Sequence, residues 1–194
     1  MTANWFKKAK QVESKDKEMY DWFEKRTNKH IDSVRKYCKK IADYDNDRFK
    51  GIIERGKIHD DSKFNASEYE PYVYTTWKYK CEKDGKEFEA PEEMEDKMYE
   101  ATEHHVKNNK HHPESHSSQK EVINKNDRDK PPENAVDASK MSELDIAEMC
   151  ADWMAVSEER GTSPKTWADD NIGKRWKFTN EHEDLIYELI KEIF

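Results

Sequence analysis

Seven of the 8 histidines lie between His30 and His116, interleaved with acids. The sharpest stretch is "GKIHDDSKF", where His59 is followed by Asp60, Asp61 and Lys63. Beyond it come His104 and His105, then His111, His112 and His116, and later Asp152 inside "CADWMA". Imidazole and carboxylate together are the preferred ligands of zinc, manganese and iron. On a helix His59 and Asp60 would stand about 100° apart, so an ion between their directions could take both. Lys63 would fall on the face of His59. It would aim a cation at whatever binds the metal, phosphate above all; otherwise it is a solvated surface lysine. Alone, His30 reads as a helix-packing residue, and only the set points to a metal. Asp152 sits beside Trp153 among apolar residues, where an unpaired carboxylate is costly and a cation removes the cost. Glu148 lies four residues earlier, on the same face. It reads as a partner orienting a ligand, as a base for water, or as a surface acid.

Helices must position these residues. Gly 5 and Pro 6 are few for 194 residues, which favours an all-α fold over a turn-rich β fold. From about residue 15 to 45, Trp22, Phe23, His30, Val34, Tyr37, Cys38 and Ile41 recur at three- and four-residue steps. A second helix is predicted over about 47–59 and a third over about 66–80, capped by Asn65 or Ser67. Asp84-Gly85 marks a turn. A fourth helix follows Pro91 and runs to about 109, where Asn108-Asn109 and Pro113 end it. "SELD" at Ser142 reads as a capping box with Asp145 in place of Glu, and Gly161 as the end of that helix. Pro164 begins a short helix, and a last one spans about 179–193. Residues about 115–140 are rich in Ser, Asn, Asp, Lys and Pro and read as a mobile polar excursion within a single domain of residues 1–194, core about 15–193.

Bulk composition narrows the function classes. Charged residues make up 40 % against 34 % hydrophobic, yet aromatics are plentiful, so a folded domain with a charged surface is expected rather than disorder. The net charge of −8 disfavours an extended nucleic-acid or membrane-surface role. Cys38, Cys81 and Cys150 are odd in number and lack CxxC spacing, which disfavours disulfides and a thiolate zinc site. No apolar leader or membrane-length segment is seen, so a cytoplasmic protein is expected.

The order of His30, His59-Asp60, the later histidines and Asp152 resembles the HD-domain superfamily of metal-dependent phosphohydrolases, over roughly residues 25–160. The stretches "HDDSKF", "HHVKNNKHHPE" and "DWMAVSEERGTSPKTW" are most similar to a group of HD-like proteins of phages and bacteria. The resemblance implies an all-helical, single-domain HD-type bundle with a long polar loop. It implies His30, His59, Asp60 and Asp152 as primary metal ligands, with Asp60 able to bridge to a second ion. His105, chosen over His104 because the following spacing repeats that of the closer group, joins His111 and His112 as second-metal candidates. Lys63 matches a lysine of the superfamily's cyclic-dinucleotide phosphodiesterases, but Ser62 replaces the glycine before it and their Gly-Tyr-Pro motif is absent. Deoxynucleotide 5′-nucleotidases share the simpler ligand set but carry an acid in place of Lys63.

The expected activity is therefore hydrolysis of a nucleotide or related phosphate ester by a metal-activated water. It would use one or two divalent ions of Mn, Co, Zn, Fe or Mg, with Lys63, Asp61 and Glu148 as candidate catalytic residues. Tyr69, Tyr72 or Trp153 are available to stack on a base, although aromatics at these spacings usually serve the core. Two other classes stay open: a di-iron oxygenase of the HD type, and a non-catalytic phage accessory protein that sequesters a nucleotide in the host cytoplasm. A homodimer is compatible with the sequence.

Overall fold

The longest periodic stripe of the chain builds its longest helix. In the computed structural model, which describes residues 2–125 and 127–194 and side chains from residue 16 onward, α1 runs Thr2–Tyr44. Phe23, Thr27, His30, Ile31, Val34, Cys38 and Ile41 are among its buried residues, at helical spacing, with exposed charges between them. His30 thus belongs to the buried stripe.

α2 is short, Ile52–Ile58, and begins after a turn where an expected helix of about 47–59 would already run. Its Gly56 lies against α1: a Cβ there would meet Cys38 Sγ at 2.9 Å, so glycine permits the close approach of the two helices. α2 stops before His59, whose backbone is extended (φ −54, ψ 129). Asp60 then takes a left-handed backbone, φ 61 and ψ 8, and a 3-10 turn follows over Asp61–Phe64. The helical-face argument for His59, Asp60 and Lys63 is therefore corrected: a sharp turn, not a helix, orients them.

α3 spans Tyr69–Lys83 and α4 spans Glu92–Asn108. The expected cap from Asn65 or Ser67 is not formed: Glu68 occupies the N-cap position of α3 and its side chain does not cap. The central helix is α5, Glu143–Arg160. Its start is the expected capping box, Ser142 accepting from the Asp145 amide and Asp145 from the Ser142 amide, and Gly161 ends it at φ 66. Ile146, Ala147, Met149, Cys150, Ala151 and Met154 are buried on several sides of α5, because α1, α2, α6 (Pro164–Asn171) and α7 (Asn180–Ile193) all pack around it.

The core has two parts. One gathers α1, α5 and α7 around Ile41, Ile146, Met154, Ile186 and Leu189. The other joins α1 to α3 and α4 through Met19, Phe23, Val73 and Trp77. The fold is mostly helical, with one two-stranded parallel sheet among the described residues: β1, Val136–Asp137, paired with β2, Trp176–Lys177. The polar segment expected as a mobile excursion is packed at several points. Val122, Ile123, Val136 and Ala138 enter the main core, and Arg175 holds the carbonyls of Arg128 and Asp129. No helix is long and apolar enough to cross a membrane among the described residues.

Candidate metal centre

Four elements bring the ligand candidates to one place. His30 comes from α1, His59 and Asp60 from the turn after α2, His105 from the last turn of α4, and Asp152 from the middle of α5. His111 and His112 come from the turn that leaves α4. His112 is extended (φ −95, ψ 128) ahead of Pro113, as the residue before a proline prefers. The last-turn carbonyl of His105 is closed by the amide of Asn109, whose side chain also bonds it at 2.9 Å.

Asp60 lies between two pairs of imidazoles. Its Oδ2 is 3.7 Å from Nε2 of both His30 and His59. Its Oδ1 is 3.1 Å from Nε2 of His105 and 3.8 Å from Nε2 of His111. His30 Nε2 lies 3.1 Å from Asp152 Oδ1. The ligand atoms fall into three sets, each within 4.8 Å: His30, His59 and Asp60; His105, His111 and His112; and His59, His111 and Asp152. All seven metal-ligand candidates of the sequence therefore converge. The left-handed turn at Asp60 does this for its carboxylate, since a helical continuation of α2 would carry it elsewhere.

Carboxylates stand behind the histidines. Glu148 Oε1 is 3.0 Å from Nδ1 of His59 and 3.4 Å from Nδ1 of His111. The Arg55 guanidinium reaches Glu148 Oε2 at 2.6 Å and Asp145 Oδ1 at 2.8 Å, which ties the α5 capping box to the same cluster. Glu68 is fully buried and holds Nδ1 of His104 at 2.8 Å and Nδ1 of His105 at 2.9 Å, while accepting the Ser62 hydroxyl at 3.0 Å. Glu68 was missed by sequence reasoning. It is one acid among 43, and nothing in its neighbourhood points to a histidine 37 positions away.

Charge balance accounts for the titration of the group. Burial disfavours the Asp60 carboxylate, but Lys63, His59 and His105 overcome it and hold the carboxyl well below its ordinary range. Burial likewise opposes ionisation of Asp152 and Glu148; the bond from His30 to Asp152, and those from His111 and His59 to Glu148, keep both ionised. His59 resists burial through Asp60, Glu148 and Asp152, and its pKa is raised. Burial and the charge of His59 lower that of His111, and burial with His111 and His105 lowers that of His112 further. Neutral imidazole is the form that ligates a metal.

The remaining candidates divide. The Lys63 ammonium is bonded to Asp60 Oδ2 and lies 5.2 Å from the centre of the Tyr72 ring. It thus touches a ligand candidate directly, where the sequence placed it on a helical face shared with His59. Asp61 is exposed at the start of the 3-10 turn and is not in any of the three sets. Glu148 is buried behind the imidazoles of His59 and His111 and is not a surface acid. His104 is half exposed on Glu68, and His116 donates to the Lys110 carbonyl at 2.9 Å. The aromatic candidates serve packing: Trp153 stacks on Trp176, Tyr69 packs on Phe23, and Tyr72 packs edge-on against His105.

A family model described as a family of unknown function, DUF5662, matches residues 19–193, so the match includes every residue of this centre, and the chain belongs to that family. No curated protein and no solved structure matches the chain.

Proposed function

We propose that this member of the DUF5662 family is a metal-dependent phosphohydrolase of the HD type, acting on a nucleotide or related phosphate ester. One observation carries the reading. Nε2 of His59, His111 and His112 are buried without a hydrogen-bond partner, and Nε2 of His105 and Asp60 Oδ1 face only each other, 3.1 Å apart, although all of these atoms converge. Leaving such atoms unpaired costs about 1–3 kcal/mol each, and a bound cation removes that cost. For His59, His105 and His111 the opposite ring nitrogen already faces a carboxylate, the arrangement that turns an imidazole toward a metal.

His30, His59, Asp60 and Asp152 would hold one divalent ion and His105, His111 and His112 a second, with Asp60 between them. An ion held there supplies Lewis acidity, which acidifies water and polarises a phosphoryl oxygen. The order of ligands along the chain supports the HD-type bundle.

Access supports a phosphate substrate. The Asp152 and Lys63 side chains are 19 % and 20 % exposed, whereas those of His30, His59, Asp60, His105 and His111 are nearly closed off. Substrate would therefore approach between Asp152 and Lys63, where the ammonium meets an incoming anion. Further along the same side of α3, the Arg128 guanidinium sits 5.3 Å from the Tyr79 ring and adds a second positive charge.

The test is metal analysis of freshly purified protein, then phosphate release from a nucleotide panel with Mn, Co, Zn, Fe or Mg restored. Metal-dependent release, lost in Asp60→Ala, is expected. No release with any of these ions would end the reading, and dioxygen uptake with iron would replace it with the oxygenase class.

A further inference from the structure

Glu148 occupies the point where the two ligand groups meet from behind. His59 belongs to the group with His30 and Asp60, and His111 to the group with His105 and His112, while a third group joins these two rings to Asp152. Their ring centroids are 4.2 Å apart. One oxygen, Glu148 Oε1, faces Nδ1 of both rings, at 3.0 Å and 3.4 Å. The other oxygen is pinned by Arg55, which is itself held by Asp145. Glu148 is 3 % exposed, so water does not substitute for either contact. We infer that Glu148 is a positioning residue shared by both ion subsites, fixing His59 and His111 together.

The physical reason lies in the count of acceptors. A carboxylate oxygen has two lone-pair directions and so can accept an N–H from each ring. Both imidazoles then carry their proton on Nδ1 and present the Nε2 lone pair to the cavity. Because Arg55 fixes the carboxylate, neither ring can turn without giving up its bond. Glu68 gives an internal contrast. It also faces two imidazoles, His104 and His105, but only His105 belongs to a ligand group. Glu68 therefore orients one ion's ligand, and Glu148 orients ligands of both. The inference rests on the metal reading above and adds to it the division of labour between the two acids.

The experiment is a Co(II) titration of chelator-stripped full-length protein, followed by calorimetry and by the cobalt ligand-field absorption. Wild type is expected to take two ions per chain. Glu148→Gln should weaken both by about 10- to 100-fold, the usual effect of losing an outer partner of a metal-bound histidine. Glu68→Gln should weaken only one and shift only that ion's absorption. Thermal midpoints of the stripped variants are read alongside, because general loosening of the fold would not separate one ion from two. If Glu148→Gln does not fold, Arg55→Gln leaves the carboxylate in place but unpinned and should weaken both ions by a smaller factor. Loss confined to one ion, or none, in the Glu148 or Arg55 variant would overturn the inference while the metal reading stands. A single ion in wild type would overturn it as well, since no second subsite would exist to share. A wild-type chain that takes no Co(II) would defeat the metal reading itself.

Discussion

Lys63 reaches the candidate centre by a turn and not along a helix. The sequence put it on a helical face with His59; the turn at Asp60 puts its ammonium on the carboxylate instead. Removing it frees Asp60 from a competing cation, so Lys63→Ala should keep metal affinity or tighten it. Turnover should still fall, because the charge at the open edge is lost. Deleting one preorganised donor in a closed site costs about 2–4 kcal/mol, and the partial exposure of Lys63 points to the lower end, about 30-fold in rate. Unchanged turnover at matched metal content would return Lys63 to the role of a structural partner of Asp60. Glu114 makes a second prediction. Burial raises the pKa of its carboxyl despite the bond from Trp176 Nε1 at 2.8 Å, and its other oxygen is unpaired. An acid whose folded pKa lies above its unfolded value binds more protons when folded, so its contribution to stability falls as pH rises from about 4.5 through the folded value. Glu114→Gln keeps an acceptor for Trp176 and removes the charge. It should raise the thermal midpoint at about pH 8 and flatten its fall with pH; a lower midpoint there would show that the carboxylate is needed. The convergence of the seven ligand candidates was legible because few residue types can ligate a metal, and those types stand out in the sequence. Their supports were not: Glu68, Arg55 and Asp145 are ordinary charged residues until the fold sets them against histidines.

At the scale of elements, legibility followed local signals. Ser142, Asp145 and Gly161 bounded α5, and Pro91 and Asn109 bounded α4, because caps and breakers act within a few residues. The region from Asp45 to Glu68 was misread because its apolar residues suggest a longer helix, while the site needs an extended His59 and a left-handed Asp60. A positive φ at a non-glycine residue is costly, and it persists here because Lys63, His59 and His105 surround the carboxylate. In the polar segment, few apolar side chains, Val122 and Ile123 among them, anchor a long run of Ser, Asn and Lys. The α5 cap carries a prediction that reaches the site. Ser142 holds Asp145, and Asp145 faces the Arg55 that pins Glu148. Ser142→Ala should cost about 1 kcal/mol of stability, as loss of an N-cap usually does. It should also weaken metal binding slightly, by way of Arg55. Loss of stability with metal affinity unchanged would separate the cap from the centre.

The whole molecule is arranged around an expensive interior. Buried imidazoles and buried carboxylates, Asp60, Glu68 and Glu148 among them, gather where α1, α4 and α5 meet, where a purely structural core would hold apolar side chains. Without a cation the group is stabilised only by mutual pairing, with Asp60, Asp152 and Glu148 kept ionised by nearby histidines and lysine. With one, the unpartnered nitrogens gain a ligand and the helices that carry them are cross-linked. Ligation that favours the folded chain stabilises it by mass action, about 2.7 kcal/mol for one site at a hundredfold excess over the dissociation constant. For a chain of this size each kcal/mol moves the thermal midpoint by about 2–4 °C, so restoring metal to stripped protein should raise it by roughly 5–10 °C, and more if two ions bind. Asp60→Ala removes the residue between the two groups and should abolish most of that rise. Scanning calorimetry of stripped and reloaded protein measures it directly. Coincident melts would mean that the histidines and acids satisfy one another in the native state, and that the cluster is a polar core rather than a metal centre.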